Sequence, residues 1–248
     1  MSRTDHVVDG ITQMILDGEL AAGDRLPIEK DLAAALRVSR GSLREGVRAL
    51  TLLGVLDTRQ GDGTYVTSLD ANLLLGPMGL LVELQGAGNA LHIHTVRRLL
   101  ETEAAGLAAA NVASRGDQDP TMQDGIARAR AALATSEHIL AGPQVENEQL
   151  IQTDVAFHGA IAELAGNPVL AALIAAFASR TLRARIWRGL TEDGAHQRTG
   201  REHELILRAV LEGDSERARV RMAAHLLDVE DFVEVTNLDT SGADTTKE

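Results

Sequence analysis

Asp154 and His158 stand four residues apart in the stretch TDVAFHGAIAEL, whose pattern reads as a helix. Residues at i and i+4 share one helical face. A carboxylate and an imidazole so placed could be half of a metal site, half of a catalytic pair, or an ordinary surface contact. Two further histidines bear on the choice. His203 lies 10 residues before Gly213, and His225 lies 11 after Asp214. At a helical rise of 1.5 Å per residue each is roughly 15–17 Å from that turn, so an antiparallel hairpin brings them level. Leu207 and Val210 share the side of His203, and Ala218 and Met222 that of His225, so both imidazoles are expected to face inward. Three imidazoles and one carboxylate would suit Zn²⁺, Ni²⁺ or Mn²⁺, with positions left for water or a ligand oxygen. Spacing alone leaves a second reading open, in which inward histidines make ordinary core hydrogen bonds. The chain has no cysteine and no H-E-x-x-H, and no histidine follows a glutamate by three positions. Thiolate sites, zincin-type sites and the Glu-x-x-His pairs of di-iron bundles are thereby set aside.

A second constellation is cationic. Arg40, Arg44 and Arg48 are spaced i, i+4, i+8, with Arg37 just before them. They flank an apolar stripe of Leu43, Val47, Leu50 and Leu53, so one helix could pack and still present three guanidiniums outward. Arginine pairs with phosphates and forks onto guanine O6 and N7 in the major groove. Residues 1–66 hold 8 Lys/Arg against 10 Asp/Glu, so the segment as a whole is not basic, and a solvated face would look the same.

The elements that must hold these groups follow from periodicity. Val7, Val8, Ile11, Met14 and Ile15 repeat with helical spacing, and Gly18 and Gly23 break the pattern. A short helix follows Pro27, with Leu32, Ala33 and Leu36 inward, and a third starts near Ser39, a good N-cap. Val55–Thr58 and Thr64–Thr67 are β-prone, and RQGDG between them signals a hairpin. Helix, helix, helix, hairpin suits a winged helix-turn-helix. From Ala71 to Val235 only helical patterns appear, about seven, broken near Gly86–Asn89, Arg115–Pro120, Ala141–Pro143, Gly166–Pro168, Gly189–Gly194 and Gly213–Asp214. That is the size of an antiparallel bundle. Asn167 reads as the C-cap of the helix before Pro168. The fold class expected is therefore mainly α. A winged helix-turn-helix takes 1–68, a linker 69–75, a helical bundle 76–235 and a disordered tail 236–248.

Composition agrees with that picture. The 248 residues suffice for one or two domains. Aromatics are only 2 %, and the apolar content is mainly the strong helix formers Ala and Leu together with Val. A net charge of −12 argues against indiscriminate nucleic-acid binding over the whole surface. The longest apolar run, Ala71–Val82, stops at Glu83, short of the ~18 residues of a span, and MSRTDHVVDG has no apolar signal core. The expectation is a soluble, cytoplasmic protein with no membrane partner.

The stretch GDRLPIEKDLAAALRVSRGSLREGVRALTLLGVLDTRQGDGTYV resembles the DNA-binding domain of the GntR family of bacterial regulators. It carries LP-x-E-[RK]-x-L-A, V-S-R-x-x-[VL]-R-E and G-x-G-[TS]-[FY]-V in order. The resemblance implies contacts to double-stranded operator DNA by Lys30, Arg40, Ser42 and Arg44, beside Arg48 of the stripe, with Gly61 at a wing tip in the minor groove. Departures are Ile28 where a capping residue is usual, Lys30 where arginine is commoner, Gly41 where threonine is frequent, and Asp62 in the wing.

The segments VRRLLETEAAGLAA, DVAFHGAIAELAGNPVLAAL and EHELILRAVLEGDSERARVRMAAHL resemble the FCD ligand-binding domain of the FadR-type branch of that family. The resemblance implies a bound divalent metal, zinc first with nickel or manganese as alternatives, on Asp154, His158, His203 and His225. It also implies a small carboxylate or sugar-acid effector that completes the metal shell, with Arg97 facing the effector. Arg97 could instead pair with Glu101, one turn on, at the surface. Arg180, Arg183, Arg185 and Arg188 flank Trp187, and at least half of them are read as solvated. His92, His94, His138 and His196 are read as structural. The functional expectation is a ligand-responsive transcriptional regulator, commonly a repressor, that acts as a homodimer and is not an enzyme. The alternatives weighed are a metal-dependent enzyme acting on a small carboxylate with a DNA-binding appendage, and a nonspecific architectural DNA binder.

Overall fold

The computed structural model describes residues 2–84, 90–116, 119–142, 145–178 and 194–242, which divide into two compact units at Met78–Gly79. In the first unit, α1 (Arg3–Leu16), α2 (Glu29–Ala35) and α3 (Arg40–Leu52) precede the antiparallel strands β1 (Leu56–Arg59) and β2 (Gly63–Val66). Local chemistry places the starts. Ser2 and Asp5 form a capping box on α1, and the Ser39 hydroxyl accepts from the Ser42 N–H at 3.1 Å to cap α3. Ile28 begins α2 with no side-chain cap, as its chemistry requires. The apolar stripes meet in one core that includes Val7, Ile11, Leu32, Leu43, Leu50 and Val66. Each such side chain, once out of water, contributes about 1.5–3 kcal/mol before entropy is charged against it.

Gly54 closes α3 in the left-handed region, at φ 74°. A Cβ there would lie 2.6 Å from the Leu73 carbonyl oxygen, a backbone atom that cannot swing aside. Gly54→Ala is therefore expected to destabilise the first unit by about 1–3 kcal/mol, the usual cost of a forced left-handed residue. Thermal unfolding of the variant checks this.

From residue 71 onward the described helices are α4 (Ala71–Leu84), α5 (Ala90–Arg115), α6 (Pro120–Ala141), α7 (Asn147–Leu164), α8 (Pro168–Ala178), α9 (Ala195–Leu211) and α10 (Ser215–Gly242). In the second unit α5 packs along α10 and α7, α6 along α7, and α9 along α10. The core is rich in alanine (Ala105, Ala108, Ala109, Ala129), which lets helices approach closely around Phe157, Ile206 and Met222. Asp119 caps α6, with Pro120 in the first turn where its missing N–H costs nothing.

Three details depart from the sequence reading. Asn167 caps the helix after it: its Oδ1 accepts from the Val169 and Leu170 N–H groups at 3.1 Å each, while α7 ends at Ala165–Gly166. A short amide beside Pro168 satisfies the free donors of α8, and Gly166, at φ 69°, takes the left-handed position instead. Helix α4 begins at Ala71, inside the segment expected to be a linker. Helix α10 runs to Gly242, into the expected tail, because neither glycine nor proline intervenes between Val235 and Gly242. The cations Arg180, Arg183, Arg185 and Arg188 lie outside the described residues.

Candidate metal centre and nucleic-acid interface

Helix α7 carries Asp154 and His158 one turn apart, and the α9–α10 hairpin supplies His203 and His225. That hairpin turns at Gly213, at φ 71°, and Asp214 caps α10 by accepting from the Arg217 N–H at 3.0 Å. The helical rise then does the rest. His203 Nε2 and His225 Nε2 are 3.3 Å apart, so the residues do come level. Leu207, Val210, Ala218 and Met222 are all buried on the expected faces.

One ligand atom from each of Asp154, His158, His203 and His225 falls within a 4.8 Å cluster. Asp154 Oδ1 is 3.5 Å from His203 Nε2 and 3.8 Å from His158 Nε2. An ion bonded at about 2.0–2.2 Å to each cannot hold two ligand atoms further apart than about 4.4 Å. These three pairs satisfy that limit, and the 4.8 Å spread of the whole set exceeds it slightly, a gap that a small side-chain rotation closes. The imidazole of His158 is 2 % exposed, yet its Nε2 makes no hydrogen bond among the described residues. A buried lone pair without a donor is costly, and an ion at the cluster would engage it. The donor set therefore fits a metal, and the described residues hold a possible site of three histidines and one aspartate.

The surroundings fit as well. His225 Nδ1 hydrogen-bonds Glu202 Oε2 at 2.7 Å, and His158 Nδ1 lies against Glu101 Oε2, close in distance though not aligned as a hydrogen bond. Carboxylates behind ligating imidazoles set tautomer and ring direction, and losing one commonly costs 10–100-fold in metal affinity. Burial holds His225 below the ordinary histidine value, against the pull of Glu202, so the ring stays neutral. The neutral imidazole is the form that offers a lone pair to a metal. Phe157 stacks on His203, centroids 4.2 Å apart, and fixes its plane.

Arg97 is neither free nor at the surface. Its Nε donates to Glu101 Oε1 at 2.8 Å, with both side chains almost completely buried. The pairing with Glu101 is the one the sequence allows, but it lies in the interior and not at the surface. Arg97 also lines a cavity of about 60 Å³, room for a few waters, together with Asp154, His158, His203 and His225. Thr153, His196 and Thr199 add polar groups to its wall. His196, read as structural, hydrogen-bonds Asn147 Oδ1 at 2.9 Å on that wall. Glu202, Phe157 and the link from Glu101 to His158 are what sequence reasoning passed over. Glu101 stood one turn from Arg97 in plain view, but its link to His158 joins α5 to α7 and has no local signal.

In the first unit α3 and the wing face a groove of about 450 Å³. Lys30, Arg40, Arg44, Arg48 and the wing-tip Gly61 are exposed, and Ser42 is half-buried. Gly61 takes φ 77° with open space around it, so the wing tip can approach another surface closely. The arginine stripe is not three free cations. Arg44 forks onto Glu29 and Arg48 lies 3.7 Å from Glu45. Asp62 accepts from the Tyr65 hydroxyl at 3.0 Å, which occupies the wing's negative charge.

The FCD domain family matches residues 92–228, and the family described as bacterial regulatory proteins, gntR family, matches residues 3–66. The HTH-type transcriptional regulator LutR of Bacillus subtilis is 33 % identical over 227 residues, covering 89 % of this chain and 96 % of LutR. The protein belongs to the gntR family of bacterial regulatory proteins. Among other relatives, the HTH-type transcriptional repressor NanR of Klebsiella aerogenes is 27 % identical over 231 residues, covering 91 % of this chain and 83 % of NanR. The fold is shared with a solved Streptococcus agalactiae GntR, at a TM-score of 0.67 and 23 % identity over 92 % of this chain and 99 % of that one. As a gntR-family member with an FCD domain, the chain is a ligand-responsive transcriptional regulator and not an enzyme. The helix-turn-helix implies DNA binding and the FCD domain a small-molecule effector. No helix among the described residues is long and apolar enough to cross a membrane.

Proposed function

We propose that this gntR-family regulator is a cytoplasmic homodimeric repressor. It holds a divalent metal, zinc first, on Asp154, His158, His203 and His225. It senses a small carboxylate or sugar acid that enters the metal shell beside Arg97. The observation that carries the reading is the sharing of one cavity by four converging ligand side chains and a buried guanidinium. A metal with open positions attracts a carboxylate oxygen, and arginine holds the same group by a charge-assisted fork. Arg97 already engages Glu101, and Glu101 touches His158, so an incoming carboxylate would perturb Arg97, Glu101 and the ligand together.

Two copies of the winged module would meet two half-sites related by two-fold symmetry. Lys30, Arg40, Ser42, Arg44 and Arg48 face the major groove, and Gly61 enters the minor groove. Effector binding must favour one arrangement of the dimer energetically for release to follow.

The test begins with metal analysis of the purified chain and continues with a screen of hydroxy acids, sugar acids and dicarboxylates for release from its own promoter. Binding to the native state alone raises the melting temperature, by about 2.7 kcal/mol of stabilisation at a hundredfold excess over Kd. The expected result is stoichiometric metal and one chemical class of acid that both stabilises the chain and releases DNA. A chain that contains no metal and takes up none on soaking would sink the metal reading.

A further inference from the structure

The Arg44–Glu29 pair departs from what a phosphate-binding stripe needs. Arg44 lies on the recognition helix α3, and Glu29 is the first residue of α2. Arg44 Nε reaches Glu29 Oε1 and Oε2 at 3.0 and 3.2 Å, and Nη2 reaches Oε2 at 3.0 Å. One edge of the guanidinium is thus filled by a carboxylate from a different helix. Both side chains remain half-exposed or more, at 67 % and 51 %, on the groove between α3 and the wing.

Two consequences follow. The charge of Arg44 is locally neutralised, so this arginine gains little from the general field of the phosphates. Its remaining Nη1 and Nη2 hydrogens form the other edge of the planar fork, held in one orientation by the carboxylate. That edge matches the O6 and N7 acceptors of a guanine. An arginine fixed before docking loses less side-chain freedom on binding than a free one.

We infer that Glu29 is a specificity-determining residue of the DNA interface: it positions Arg44 to read a guanine edge in the major groove and keeps it from serving as a phosphate anchor. Arg40, which feels the Glu29 charge but makes no hydrogen bond or ion pair with a carboxylate among the described residues, takes the phosphate role in this scheme. The inference concerns the winged module alone and stands whether or not the second unit holds a metal.

The experiment uses the full chain and a duplex selected by the wild-type protein from random sequence. Each guanine of one half-site is replaced in turn by 7-deazaguanine, which lacks the N7 acceptor. One position should weaken wild-type binding by about tenfold, the scale of a bidentate contact, and should have no further effect on Arg44→Ala. In Glu29→Gln the penalty at that position should fall to about threefold or less. Binding of Glu29→Gln to random DNA should strengthen, and its salt dependence steepen by roughly one phosphate contact. The pair is exposed, so the melting temperature of Glu29→Gln should stay within a few degrees of wild type. If that variant folds poorly, Glu29→Asp, which shortens the reach, should give the same loss of discrimination. Retention of the full 7-deazaguanine penalty in a folded Glu29 variant would overturn the inference. So would the absence of any guanine coupled to Arg44, or an equal gain in affinity for selected and random DNA with discrimination intact.

Discussion

His203→Ala should leave a chain that still binds its operator without effector but neither retains metal nor responds to the acid. His203 supplies one of the four converging ligand atoms and the one that sits 3.3 Å from His225 and 3.5 Å from Asp154. Loss of an orienting carboxylate behind a ligand commonly costs 10–100-fold in affinity, and loss of the ligand itself should cost more. Metal analysis of the purified variant should show the site largely empty where wild type is full. Titration with the releasing acid should then show no release up to concentrations at least a hundredfold above the wild-type midpoint. Removing the ring also leaves a void against Phe157, whose ring lies 4.2 Å away, so some loss of thermal stability accompanies the change. Operator affinity without effector separates the two effects, because the winged module has its own core. An unchanged metal content in His203→Ala would remove this residue from the ligand set.

Arg44→Ala should be the most damaging single change in the winged module, lowering discrimination between operator and random DNA by roughly tenfold or more. Two terms add. The guanidinium edge is lost, and Glu29 is left as a bare carboxylate on the groove proposed to face DNA. The hydrogen bonds from Arg44 hold the Glu29 carboxyl below its ordinary value, and without them it stays ionised at neutral pH and repels phosphate. The double variant Glu29→Gln/Arg44→Ala should therefore bind random DNA better than Arg44→Ala while recovering no specificity. Binding isotherms on operator and random duplexes at two salt concentrations measure both terms. Equal operator affinity in wild type and Arg44→Ala would take Arg44 out of the recognition surface.

Much of this was legible in the chain because the rules involved are local. Apolar spacing placed the helices, since burying one face every 3.6 residues is a property of the segment itself. Ser39 marked the start of α3 and Gly213–Asp214 the turn between α9 and α10, because caps and left-handed turns depend on a few neighbouring residues. The levelling of His203 with His225 needed only helical rise counted from one turn. Asn167 shows the limit of local reading: next to a glycine and a proline, an asparagine can end one helix or begin the next, and only the free N–H groups of α8 chose.

By itself the sequence determined the two-part architecture, the inward pair of histidines, and a family resemblance that the comparisons bear out. Tertiary structure alone decided how the charges are spent. Glu29 reaches Arg44 across 15 positions, Glu202 reaches His225 across 23, and Glu101 on α5 meets His158 on α7. It also decided that Arg97 is buried and bound to Glu101 instead of standing at the surface. Periodicity reports which face a residue occupies, because burial repeats along the helix. It carries no record of which carboxylate will meet which cation, because that depends on how separate helices pack, and long charged side chains can reach several partners from one face.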